Sequence, residues 1–87
     1  MAEIMRPLIS LHGTRPDQMV NARIEAREAA RKLMEALGHT APNGRDYAGR
    51  PDDYKRDYAI YRNRLLPLDA LYDALGDEAL DIQERAA

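Results

Sequence analysis

Residues 54–82 read YKRDYAIYRNRLLPLDALYDALGDEALDI. Within this stretch Tyr54, Tyr58, Tyr61, Leu65, Leu68, Tyr72, Leu75, Ala79 and Ile82 recur at spacings that alternate four and three without a break. That is an uninterrupted heptad seam, the period of a helix that packs one stripe against a neighbour. The seam passes Pro67 and Gly76 without a change of phase. Two helices joined by a loop have little reason to stay in phase. The pattern therefore predicts one long second helix over 52–86, kinked near Pro67, where the Asn63 carbonyl loses its partner. The alternative is a break at Gly76, with a short third helix after it.

Upstream, residues 15–37 are rich in Ala, Glu, Arg, Leu and Met, all strong helix formers. Thr14 is the expected N-cap, Pro16 suits the first turn, and Asp17 places negative charge near the helix start. Gly38 is the expected stop after the last turn. A stripe of Met19, Arg23, Ala26, Ala30, Leu33 and Leu37 predicts the face turned to a partner, with Val20, Ile24 and Met34 beside it. Asp52 and Asp53 are candidate caps of the second helix. The prediction is an all-α antiparallel helical hairpin in one domain, 1–87. Residues 1–13 form an extended arm, 14–38 helix one, 39–51 a polar loop and 52–86 helix two. In the arm Pro7 excludes a helix interior. Its Ile4, Met5, Leu8, Ile9 and Leu11 need a covering surface, supplied by the hairpin or by a second subunit.

At 87 residues the chain is near the lower size for independent folding. Small chains often gain burial by association. The second helix would span roughly 50 Å, about ten residues' rise more than the first. The excess predicts a homo-oligomer, with Tyr54, Tyr58, Tyr61, Leu65, Leu68, Tyr72 and Leu75 as its seam.

Net charge is −2, unevenly spread. Residues 1–64 carry 12 basic and 9 acidic side chains, whereas 65–87 carry one basic and six acidic. The acidic segment and net acidity argue against double-stranded nucleic acid as a partner. There is no cysteine, and the two histidines, His12 and His39, lie far apart, which argues against a metal site. The start of the chain lacks the pattern of a signal peptide, and no apolar run has the length of a membrane span. The expectation is a cytoplasmic protein that uses no cofactor. The lone serine, Ser10, sits beside His12, too near in sequence for a triad. Asp46 with His39 is an unspecific acid–base pair. No catalytic set emerges, so the expectation is a protein that is not an enzyme.

The loop is the richest candidate site. Pro42-Asn43-Gly44 is turn chemistry, with Asn43 or Gly44 free to take positive φ. Arg45, Asp46, Tyr47, Gly49 and Arg50 are not required for turning. Arg45 and Arg50 suit a phosphate, Asp46 a ribose or base, and Tyr47 a stacked ring. Gly44 and Gly49 permit close approach of a ligand to the backbone. His39 adds a polar group at the loop's edge. Arg27, which has no acidic residue three or four positions away, is a further anion contact. The candidate ligand set is Asn43, Gly44, Arg45, Asp46, Tyr47, Arg50, His39 and Arg27. The opposing reading is a loop that satisfies itself, with Tyr47 plugging the end of the hairpin.

The segment APNGRDY, residues 41–47, resembles the loop of small helical-hairpin proteins encoded by tailed phages and prophages of Gram-negative bacteria. Their loop reads Ala-Pro-(Asn or His)-Gly-Arg-Asp-Tyr, usually followed by a second tyrosine. Here Ala48 follows instead. The resemblance spans roughly residues 17–66. It implies a phage accessory product acting in the host cell rather than a metabolic enzyme. Such products commonly antagonise host defence, which frames two expectations. One is a hairpin oligomer that sequesters a nucleotide-like anionic ligand, a link that rests on fold-level analogy. The other is a protein–protein inhibitor or adaptor, anti-CRISPR-like, that occupies a host defence protein through the acidic C-terminal segment or the seam.

Overall fold

A computed structural model describes residues 3–87, so Met1 and Ala2 of the predicted arm lie outside the described residues. Two α-helices, α1 (Pro16–Gly38) and α2 (Pro51–Ala86), are joined by a single-turn 3₁₀ helix, η1 (Gly44–Tyr47). The chain is an all-helical hairpin. The alternative with a short third helix is overturned, since α2 runs unbroken through both Pro67 and Gly76. An interior proline costs about 3 kcal/mol in a helix. Here Pro67 is exposed, and Leu65 and Leu68 on either side of it keep the seam in register.

Both predicted N-caps are corrected. Arg15, not Thr14, caps α1, and Arg50, not Asp52 or Asp53, caps α2. The cause is the same at each site. Proline occupies the first helical position, and a residue before proline is driven out of the helical region. Arg15 is accordingly extended, at φ −63° and ψ 141°. The acidic residues instead stand in the first turns, where Asp17 pairs with Arg15 and Asp53 with Arg50. Gly38 is also not a left-handed stop. It is the last helical residue, and Thr40 closes the end by donating its N–H and its hydroxyl to the Leu37 carbonyl at 2.8 and 2.7 Å.

The stripe of α1 that meets α2 is rotated from the predicted one. Met19, Val20, Arg23, Arg27, Ala30, Met34 and Leu37 turn inward, whereas Ala26, Leu33 and Ile24 are exposed. Arg27 displaces Ala26 because its guanidinium carbon sits over the Tyr72 ring, 3.9 Å from the centroid. On α2 the later seam residues, around Tyr72 and Ile82, lie along α1 inside the hairpin, whereas Tyr54 and Tyr58 of the predicted oligomer seam lie beyond it, against the loop and solvent. Burial along it is graded. Tyr58 is exposed, Tyr54, Tyr61, Leu65, Leu68, Tyr72 and Leu75 are half-buried, and Ala79 and Ile82 are buried.

Register explains the gradient. Arg23 meets Glu78 and Arg27 meets Tyr72, so facing residue numbers add to about 100. Gly38 is then level with about residue 62, and the first turns of α2 project beyond α1. At the other end the N-terminal arm folds back along the acidic segment. The Met5 N–H donates to Glu78 Oε2 at 3.0 Å, and Arg85 donates to the Pro7 carbonyl at 2.8 Å. Glu78 also receives Arg23 Nε at 2.8 Å, so one buried carboxylate ties α1, α2 and the arm together. The hairpin covers Ile4 but leaves most of the arm's apolar side chains outside, with Leu8 87% and Leu11 99% exposed. Among the described residues the only large side chain fully buried is Ile82, clustered with Met19, Val20 and Ala79.

The molecule measures 63 × 21 × 16 Å, with a radius of gyration of 18.3 Å against about 12 Å for a compact chain of this length. Among the described residues no helix is long and apolar enough to cross a membrane.

Candidate binding site at the loop end

The loop is built from local bonds. Asn43 is extended, and its side-chain oxygen accepts the Arg45 N–H at 3.0 Å, which starts η1. The Asp46 N–H then donates to the Asn43 carbonyl at 2.9 Å. Positive φ falls on Gly49 (74°), not on Asn43 or Gly44, so the predicted position of the backbone reversal is corrected. With Asn43 committed to capping a 3₁₀ turn, the left-handed step moves to the junction with α2, where only glycine takes it without strain.

Tyr47 closes the end. Its ring meets Tyr54 edge-on with centroids 5.6 Å apart, and Tyr54, Tyr58 and Tyr61 follow at 6.0 and 6.1 Å. Four rings thus form a ladder along the part of α2 that overshoots α1. The Tyr47 hydroxyl donates to Asp57 Oδ2 at 2.6 Å. This bond to the charged carboxylate holds Asp57 below the usual carboxyl range, helped by Arg56, and raises the Tyr47 phenol above its usual value.

Beside the ladder is a recess of about 200 Å³, lined by Thr40, Pro42, Tyr47, Asp57, Ile60, Tyr61 and Arg64. Of the predicted ligand residues only Tyr47 lines it. Arg45 is exposed at the loop's tip, with its Nε 3.5 Å from Asn43 Oδ1. Asp46 is exposed, and Arg50 is paired with Asp53. His39 borders a different surface, with Arg31, Lys32 and Glu35. Arg27 lies 12 residues before His39 along α1, about 18 Å from the loop, so it cannot join the same contact. Gly44 opens onto free space. The eight predicted residues therefore do not converge on one point.

Asp57, Arg64 and Ile60 were not among the predicted site residues. A usable signal was present. Asp57 stands three residues after Tyr54 and Arg64 three after Tyr61, one turn along from two seam tyrosines. Residues 39–64 carry six basic and four acidic side chains. Among the described residues Arg45, Lys55, Arg62 and Arg64 make no ion pair. The loop end is thus aromatic and carries uncommitted positive charge. No group of three or more metal-ligating side chains occurs among the described residues.

No protein-family model, curated protein or solved structure matches the chain.

Proposed function

We propose that this chain is a non-catalytic binding protein, a phage-type accessory product that antagonises host defence by sequestering a nucleotide-like anionic ligand at its loop end. The observation that carries the reading is the tyrosine ladder beside a recess edged by Arg64, with Arg45 and Arg62 also free of ion pairs. Tyrosine faces stack on a base, at about 1–3 kcal/mol per base. Guanidinium groups grip phosphate oxygens in pairs. Both Asp57 oxygens are engaged, by the Tyr47 hydroxyl and by Arg56, so this carboxylate braces the recess rather than offering a free acceptor. The recess is smaller than the roughly 300 Å³ at which ligand pockets begin, so the ligand would lie mostly on the surface and would gain from contacts on more than one copy.

The test is a thermal-shift screen with cyclic dinucleotides and ADP-ribose derivatives. A binder present at a hundred times its Kd stabilises the fold by about 2.7 kcal/mol. The shift should shrink in Arg64→Ala and in Arg45→Ala. Absence of a shift with every nucleotide removes this reading. A second reading, an inhibitor or adaptor that occupies a host protein, is supported by Asp69, Asp73, Asp77 and Glu84, which make no ion pair among the described residues. It requires co-purification with a host protein that is lost when Asp69 and Glu84 are neutralised.

A further inference from the structure

The two flanks of the hairpin differ. One carries the Arg23–Glu78 pair and the N-terminal arm. The other is an open groove of about 730 Å³ whose lining includes Ile24, Arg27, Asp73, Gly76, Asp77 and Leu80. Ile24 and Leu80 are 51% and 57% exposed, and no segment of the described chain covers them. Leu66, one turn before the groove residue Ala70, extends the apolar strip and is itself exposed.

Charge in the groove is present with both signs and unpaired. Arg27 is half-buried, yet it meets no carboxylate among the described residues. Its Nε reaches the Tyr72 carbonyl at 3.4 Å, and its terminal nitrogens donate to nothing described. Asp73 and Asp77 stand on the same groove and have no cation. Gly76 makes room for this arrangement, since a Cβ there would lie 3.0 Å from Arg27 Nε.

We infer that a second copy of this chain docks in this groove, with Arg27 of each copy meeting Asp73 and Asp77 of the other. Two observations select that occupant. The first is self-complementarity. A two-fold contact places the same patch on both sides, and this patch holds the cation and the carboxylates that each other lacks. The acidic rim also repels an anionic membrane or nucleic acid. The second is area. The chain exposes 6706 Å², whereas a compact chain of 9.9 kDa exposes about 5,200 Å². A standard interface takes about 800 Å² from each partner, and the elongated hairpin carries a surplus of about 1,500 Å² over its whole surface, so a contact along its long flank centred on the groove has the area it needs. The inference is independent of the ligand reading above, since the groove lies away from the loop end.

Sedimentation of the purified full chain tests it. The wild type should be a dimer at tens of micromolar. Ile24→Asp and Leu80→Asp should each weaken the dimer by about tenfold or more, with helix content by circular dichroism unchanged because both side chains are already half exposed. Arg27→Glu alone should be monomeric, as should the double variant Asp73→Arg/Asp77→Arg. Mixed together, these two should form a heterodimer, because each supplies what the other has reversed. A monomeric wild type overturns the inference, as does a dimer that tolerates Ile24→Asp and Leu80→Asp. A wild type that is monomeric alone but holds a host protein on this face overturns the second copy as occupant. If the charge-reversed chains do not fold, the aspartate variants at 24 and 80 decide the matter by themselves.

Discussion

The two ends of the hairpin are built from different materials. At the end where the termini of the helices meet, residues 16–23 and 78–86 hold the buried cluster of Met19, Val20, Ala79 and Ile82, and the Arg23–Glu78 pair fastens the arm. At the loop end, the first turns of α2 project past α1 and are covered only by residues of the loop. Their rings follow one another with centroids 5.6 to 6.1 Å apart and remain partly wet. The difference separates two tasks. One end supplies cooperative stability, and the other can change its side chains with little consequence for the fold. Binding surfaces belong at the second kind of place.

Glu78→Ala attacks the first end hardest. It removes a carboxylate shared by three segments and leaves Arg23 uncompensated at 15% side-chain exposure. Breaking a buried pair by deleting one partner costs about 3 kcal/mol or more. For a domain of this size the melting temperature should fall by at least about 12 °C, and the arm should become protease-sensitive. A small change would mean that the pair is solvated and that the arm is not fastened there.

Ile82→Ala follows, at about 2 kcal/mol. The low end of the usual range applies because the cluster is thin and Met19 can collapse into the space. Chemical denaturation should lower the midpoint with an unchanged slope. Equal losses for Ile82→Ala and for Tyr58→Ala at the loop end would erase the contrast between the ends.

Gly76→Ala is smaller and has the opposite sign. Alanine gains about 1 kcal/mol over glycine inside a helix. The new methyl group meets Arg27 Nε at 3.0 Å, and a long side chain can swing aside. The variant should therefore be stabilised by up to about 1 kcal/mol as a monomer while it loses the stacking of Arg27 on Tyr72. Destabilisation instead would show that the stacked arginine holds the helices together in the middle.

These contrasts mark what could be read in advance. The heptad phase across Pro67 decided that α2 is one helix, because hydrophobic periodicity is a property of the whole element and outweighs one proline. The caps were misread because a proline at the first helical position fixes its predecessor, which outweighs the side-chain preference of Thr14 or Asp53. The inward stripe of α1 was misread by one position. An arginine that stacks on a ring behaves as an apolar residue, and periodicity counts it as polar. At the loop end residue types placed the rings and arginines together, but their pairing did not follow. Pairing across the turn commits Arg50 to Asp53 and Tyr47 to Asp57, and no local rule states which arginine stays free.

The smallest effect concerns that pairing. The Asp57 carboxyl is depressed, first by the Tyr47 hydroxyl and then by Arg56. Its contribution is complete above the unfolded carboxyl value and is lost as pH falls through the lower folded value. The Tyr47 phenol is raised, first by its bond to Asp57. Its contribution is complete below the usual tyrosine value of about 10 and is lost as pH rises through the higher folded value. The bond therefore stands throughout the neutral range and fails at both extremes. In a spectroscopic titration Tyr47 should ionise above the usual tyrosine value. Asp57→Asn should move that step to lower pH, and Tyr47→Phe should delete it, with little change in melting temperature for either. If Asp57→Asn leaves the wild-type tyrosine titration unchanged, Tyr47 is not held by Asp57 in solution, and the loop end has no brace on which to present its rings and arginines.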